Sequence, residues 1–461
     1  MLALLALFCA ANVDAAVINT SVKRVLDLTK HVVRVQTDIQ FVDAEQDTKE
    51  YVFGLPKDKA KHLSQLVAKC GKNPCEVVPA THVDANAHPN VAQYTVVLKN
   101  KVAKGETGHV KLTSYFTRVL TPFPEEITQK EEQLVVYEDS HLLLSPYTTE
   151  TQTTKVKLPS GRVESFSQIQ PVTRKGAMIS YGPYTNAEPF SSDAKSLRVH
   201  FKNHSPFMTV TNLVREIEVS MWGRVSVEEV YDLLHTGAKL KGGFSRYEYT
   251  AQNERGASFH DMQAYLPKDA VNVYYRDQIG NVSTSRLRVT STRQELAFKS
   301  RFPIFGGWKT QWYLGYSVPT HSVLSRDGDK FKLEIDFSTS IEGAAVDDLT
   351  VKVILPEGST NLQANLPFAV DSITDNTRRQ TYLDTPLVGR PVLIISKKNV
   401  IAAHNVPFEV TFEFPQTFML HEPLLLVSAF LAFFLFCMVI FRFDVSLLAK
   451  SNAKAKKSKT E

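Results

Sequence analysis

KFKLEIDF, Lys330–Phe337, sets the character of the chain. Phe331, Leu333, Ile335 and Phe337 alternate with Lys332, Glu334 and Asp336, so a strand here buries one face and wets the other. Asp327-Gly328 just before it reads as a hairpin turn. The same texture continues in both directions. VVRVQTDIQFVD (Val32–Asp43), LVREIEVSMWG (Leu213–Gly223), LTVKVILP (Leu349–Pro356) and PFEVTFEFP (Pro407–Pro415) are short, rich in β-branched and aromatic residues, and mostly alternating. That rhythm predicts a mainly β protein of antiparallel, β-sandwich-like domains. Two segments read differently. Pro56–Lys69 carries Ala60, Leu63 and Val67 at helical spacing and predicts a short surface helix. Ser226 and Glu229 match a capping box, but Val225, Val227, Tyr231 and Leu233 fit a period of two, and the β-branched density favours strand.

The ends of the chain differ from this β body. LLLVSAFLAFFLFCMVIF, Leu424–Phe441, has eighteen residues without a charge. At ~1.5 Å per residue it reaches roughly 27 Å, close to the hydrocarbon thickness of an endoplasmic reticulum bilayer. With Pro423 ahead of it and Arg442 behind, it predicts a transmembrane helix over 423–441. Residues 1–15 hold the apolar run LALLALFCAA and then Val13-Asp14-Ala15, the pattern of a signal peptide cleaved after Ala15. The tail, 442–461, carries six Lys or Arg against Asp444 and Glu461, which assigns it to the cytosol and gives a type I topology. The formal net charge of +5 divides into −1 for the signal, +4 for the tail and +2 for the body, so nothing asks for a nucleic-acid partner. The body is too long for one core and predicts two lumenal β domains, 16–220 and 221–422, divided where new strands begin near Val219–Val225. YVFGLPKD near Tyr51 and VKVILPEG near Val351 suggest related units, on too short a match to define a repeat.

The chemistry that the sequence offers is sparse. Cys9 leaves with the signal and Cys437 lies in the membrane helix, leaving Cys70 and Cys75 in an oxidising compartment. The loop KCGKNPCE predicts a small disulfide between them; the rival, a zinc site, lacks a second Cys or His pair nearby. There is no H-E-x-x-H, G-x-S-x-G, Walker loop or G-x-G-x-x-G. Asp327-Gly328-Asp329 resembles a metal-binding D-x-D, yet between two strands the same letters make a turn. Glu125-Glu126 and Asp347-Asp348 read as solvated loop residues. No catalytic, cofactor or metal residue is assigned. Three sequons, at Asn19 (N-T-S), Asn203 (N-H-S, followed by Pro206) and Asn281 (N-V-S), predict N-glycosylation. Lys457 and Lys459, fifth and third from the end, look like a dilysine retrieval signal; the plainer alternative is that they only fix topology by attraction to the cytosolic leaflet.

Dense aromatic and glycine clusters remain. RFPIFGGWKTQWYLGY (Arg301–Tyr316), YYRDQIGNVSTS (Tyr274–Ser285), PFPEEITQKEEQLVVYEDSHLLLSPY (Pro122–Tyr147), NHSPFMTVTNLVREIEVSMWG (Asn203–Gly223), HTGAKLKGGFSRYEY (His235–Tyr249) and TYLDT (Thr381–Thr385) resemble the ribophorin I family, subunit 1 of the oligosaccharyltransferase complex. The resemblance implies a non-catalytic accessory subunit of the complex that transfers oligosaccharide from dolichyl diphosphate to Asn in N-x-S/T sequons. It also implies an endoplasmic reticulum address, no cofactor, and three kinds of partner: the other subunits including the catalytic one, nascent polypeptide and the translocon. In that family catalysis belongs to a many-spanning subunit with a W-W-D-Y-G signature, whereas Trp222, Trp308 and Trp312 here are never adjacent. Trp308, Trp312, Phe302 and Phe305 read as core or inter-domain packing, with holding acceptor polypeptide as the alternative. A single-pass receptor or adhesion protein would share the signal, sandwiches and anchor, but would carry more disulfides and a longer helix. A lumenal hydrolase or lectin lacks its motifs.

Overall fold

The computed structural model describes residues 17–71, 73–79, 90–191, 195–251, 256–381, 384–385 and 388–442. Its strands fall into two successive units that share a ten-strand plan. In the first these are β1 (Val17–Asp27), β2 (Val33–Asp43), β3 (Thr107–Phe116), β4 (Leu120–Pro122), β5 (Leu134–Ser140), β6 (Thr149–Lys157), β7 (Val163–Phe166), β8 (Val172–Lys175), β9 (Met178–Ala187) and β10 (Ser196–Lys202). In the second they are β11 (Met208–Val219), β12 (Arg224–His235), β13 (Lys309–Pro319), β14 (Leu324–Asp327), β15 (Lys330–Asp336), β16 (Ala345–Ile354), β17 (Thr360–Asn365), β18 (Ser372–Arg379), β19 (Arg390–Val400) and β20 (Pro407–Glu413). The larger sheets run β8-β9-β6-β1-β2-β3 and β18-β19-β16-β11-β12-β13; the smaller run β7-β10-β5-β4 and β17-β20-β15-β14. Each of these ten strands of the first unit therefore has its counterpart ten labels later. The Tyr51 and Val351 segments are not counterparts: Tyr51 lies in a strand inserted between β2 and β3, Val351 in β16.

The sheets are not wholly antiparallel, which corrects the expectation at one pair per unit. β1 runs parallel to β6, from Asn19↔Thr149 to Asp27↔Lys157, and β11 runs parallel to β16, from Thr209↔Ala345 to Glu218↔Ile354. After β3 the chain crosses to the smaller sheet for β4 and β5 and returns on the far side of β1, so β6 enters in β1's own direction. The two sheets close on a shared core. In the first unit Leu26, Val35 and Val156 meet Val135, Tyr137, Val199 and Phe201. In the second, Leu213, Ile217, Leu314 and Val351 meet Leu333, Ile335, Phe408 and Val410.

Insertions between the second and third strands distinguish the units. The first carries Thr48–Pro56, Leu63–Cys70, Asn73–Pro79 and Val91–Val102, which extend the larger sheet beyond β3. The second carries a separate sheet of Phe259–Pro267, Arg293–Ile304 and Ser285–Val289, and a hairpin of Val271–Asp277 and Gly280–Asn281 on the edge of β13. The helix expected over Pro56–Lys69 is one turn, Lys57–Ala60, followed by the strand Leu63–Cys70. Pairing of Leu63 to Phe116 and Cys70 to Val110 satisfies this backbone along β3, and tertiary pairing overrides the local spacing. The expected division at 220/221 is also corrected, because Ser220–Gly223 is the tip of the β11–β12 hairpin, with Val219 paired to Val225. The chain changes core earlier, at 203–207: Phe207 packs in the first unit's core and Met208 in the second's.

Candidate membrane junction and the seam between the units

One end of the first unit rests on the second. At one side, Asn399 donates from Nδ2 to the Lys61 carbonyl (2.9 Å) and accepts the Thr117 hydroxyl at Oδ1 (3.1 Å). Beside it Arg118 grips Asp347 with two guanidinium nitrogens, Nε at 2.9 Å from Oδ1. Asp347, read from sequence as a solvated loop residue, lies in β16; burial pushes its carboxyl pKa up and Arg118 opposes that rise. At the other side Glu126–Ile127 pairs in parallel with Lys239–Leu240. Gln133 ties both units, donating to the Asn203 carbonyl and accepting from Ala238 N–H, each at 2.9 Å. Gly306 completes the strap, since any Cβ there would overlap the Ala238 carbonyl.

Two histidines face this seam, His235 fully buried and His31 partly so. His31, in the β1–β2 turn, faces the Phe207 ring at 6.0 Å. His235 donates from Nε2 to the Ala257 carbonyl (2.7 Å) and accepts the Gly237 N–H at Nδ1 (3.0 Å), an arrangement that requires a neutral ring. Burial pushes both imidazoles down to about 4, and for His31 the neighbouring His235 and Lys30 add to the shift.

At the opposite end of the second unit the chain leaves β20 through Phe414–Leu420 and enters α1, His421–Arg442. From Leu424 to Phe441 no residue of α1 is buried in the protein, and the helix is long and apolar enough to cross a membrane. Arg390, at the start of β19, fixes the root of this helix. Its guanidinium reaches Glu218 of β11 (2.7 Å), Asp384 (3.1 Å) and Glu422 of α1 (3.2 Å). Burial works against the Asp384 charge, but hydrogen bonds from the Thr381 hydroxyl and N–H, with Arg390, hold its pKa below the usual carboxylate range. Nothing in the sequence singles out Arg390 or Asn399, because apart from Asp384, six residues from Arg390, their partners lie 32 to 338 residues away.

The residues singled out from sequence are scattered. Asn19 is fully buried, with Nδ2 donating to Ser145 and Thr149 (3.1 Å each) and Oδ1 accepting from Tyr51 (2.9 Å). Asn203 is 1% exposed, its Nδ2 turned to the Leu28 carbonyl and its Oδ1 capped by Ser205. In the folded chain neither Nδ2 leaves room for a glycan. Asn281 is exposed, at the end of the tight turn that Asp277 braces by accepting the Ile279 and Gly280 N–H groups. Cys70 and Cys75 are joined, with Cα atoms 5.9 Å apart. Lys457 and Lys459 lie outside the described residues. Trp312 stacks on Tyr231 inside the second core, Phe305 is buried against Trp308, and Phe302 is exposed beside them. Among the described residues no group of three or more His, Cys, Asp or Glu could hold a metal ion.

The chain matches a family described as Ribophorin I over residues 17–441. It is similar to "Dolichyl-diphosphooligosaccharide--protein glycosyltransferase subunit 1B" of Arabidopsis thaliana, 40% identical over 95% of both chains. It is also similar to subunit 1A of that plant (38% identical, 94% of this chain and 71% of that one) and to subunit 1 of Caenorhabditis elegans (34%, 95% and 73%). Among solved structures, an M1 zinc metallopeptidase from Deinococcus radiodurans aligns with 44% of this chain and 43% of its own at 12% identity and a TM-score of 0.26, too low to carry an argument.

Proposed function

Because the chain belongs to the ribophorin I family, we propose that it is a non-catalytic accessory subunit of the oligosaccharyltransferase complex, the enzyme that transfers preassembled oligosaccharide from dolichyl diphosphate to sequon asparagines. The observation that carries this is relatedness along nearly the whole chain, from the first strand through the apolar helix. Its geometry suits support rather than chemistry. Two β units stand in series on one apolar helix, joined by a hydrogen-bonded seam and rooted by Arg390. We place the units in the lumen of the endoplasmic reticulum, α1 in its membrane and the basic tail in the cytosol. Asn281 is the sequon that the fold leaves open to the transferase, and the Cys70–Cys75 bond belongs to that oxidising compartment. Nascent polypeptide and the translocon are the further partners of this position.

The test is affinity purification of the full-length chain in mild detergent, followed by mass spectrometry and a transfer assay. The many-spanning catalytic subunit should co-purify, and the chain stripped of it should transfer no glycan from a lipid-linked donor to a sequon peptide. Recovery of the chain alone, from membranes whose transferase stays assembled, would overturn the reading.

A further inference from the structure

Trp222 sits at the tip of the β11–β12 hairpin and is 61% exposed, although the tip that carries it is held firmly. Ser220 Oγ accepts the Trp222 N–H (3.2 Å), and Thr320 N–H donates to the Gly223 carbonyl (3.1 Å). Met221 and Trp222 line one cleft with Pro356, Phe418, His421 and Glu422, so the tip stands directly beside the root of α1. Phe418 and Leu420, 40% and 59% exposed, continue the same apolar ledge.

The height of this ledge follows from the helix. Glu422 is clamped to Arg390, and the uncharged stretch opens two residues later at Leu424, roughly 3 Å further along the axis. The polar interfacial layer of a bilayer is about 5–7 Å deep on each side. A root clamped so close to the hydrocarbon brings the end face of the second unit into that layer.

The internal repeat supplies an independent comparison. The counterpart of this hairpin in the first unit is the β1–β2 turn, and protein packs against it: Leu28 is fully buried, its carbonyl faces Asn203 Nδ2, and the half-buried His31 packs on Phe207. The same corner of the same fold is thus packed under the 203–207 connection in one case and left bare next to the membrane helix in the other.

We propose that the Ser220–Gly223 turn is a second membrane contact, with the Trp222 indole lying in the interfacial layer of the leaflet that α1 enters. Indole suits that layer, since its ring is apolar and its N–H finds ester carbonyls and water. A single helix leaves the body free to swivel about the membrane normal. Trp222 beside it makes a two-point attachment and sets the face that the second unit turns to its neighbours. The inference rests on the reading of α1 as a membrane span.

The test uses the full-length chain and its Trp222→Phe variant in vesicles of phosphatidylcholine, with or without bromine near the top of the acyl chains. Trp308 and Trp312 are suitable internal references, because they pair along β12 about 25–40 Å from the tip. Bromolipid should quench an emission component in the wild type that W222F lacks. Equal quenching of the two proteins while both still float with the vesicles would overturn the Trp222 contact and leave the anchor standing; failure to float would overturn both. In the assembled complex, Trp222→p-benzoyl-phenylalanine should photo-crosslink to lipid, and an adduct to a protein subunit instead would reassign the ledge to a protein partner.

Discussion

At the scale of single residues, the three sequons separate by geometry. Asn281→Gln should abolish the mobility shift seen on glycosidase treatment, whereas Asn203→Gln should leave it unchanged; a shift that survived N281Q would show that a buried asparagine is used. Asn19→Ala should destabilise the first unit by about 1–3 kcal/mol in a denaturant titration, because Ser145, Thr149 and Tyr51 lose their shared partner inside the core. The sequence did contain the warning. Asn19 lies two residues after the buried Val17 in a strand, so the period of two turns it inward, but an N-x-S/T search looks only at identity. Cys70→Ser, in contrast, should cost only about 2 kcal/mol, since the closed loop is short and its strand pairing with β3 remains. Alkylation of both thiols in unreduced protein would refute the bond.

Individual elements were legible wherever their alternation was local. Phe331, Leu333, Ile335 and Phe337 are all buried, and Asp327 pairs with Lys330 across the expected turn. The segment Leu63–Cys70 misleads because its helical spacing is real; what decides its state is β3, whose open edge lies more than forty residues downstream. The root of α1 was illegible for the same reason of distance. Arg390→Ala should destabilise the second unit by about 2–3 kcal/mol, because Asp384 keeps a buried charge without its cation while Glu218 and Glu422 are screened by water. Chemical denaturation in detergent measures this, and a variant as stable as the wild type would show that the clamp only orients the helix.

Across the whole molecule, the shared ten-strand plan was not legible, since topology resides in pairings rather than in words of sequence such as those at Tyr51 and Val351. The seam predicts a pH response. His31 and His235 titrate near 4 when folded and near 6.5 when unfolded, so between those values the unfolded chain binds more protons and stability falls as pH falls. The melting temperature should drop from pH 7 to pH 5, and His31→Phe, which keeps a ring against Phe207, should flatten that slope. The address of the molecule is tested at its far end. Moving Lys457 and Lys459 upstream within a reporter of anchor and tail keeps the charge and should abolish retrieval; a reporter that stayed in place would credit the anchor instead. The parallel pairing of β1 with β6 bears, finally, on how the molecule is born. Asn19 meets Thr149 only 130 residues after its own synthesis, an interval of roughly 7–26 s at ribosomal speeds. Throughout that delay Asn19 has β2 beside it but not β6, so its amide still lacks the Ser145 and Thr149 partners that later bury it. A sugar attached there in that interval would sit where the core must close, so on the proposed lumenal placement folding competes with tagging at this one residue.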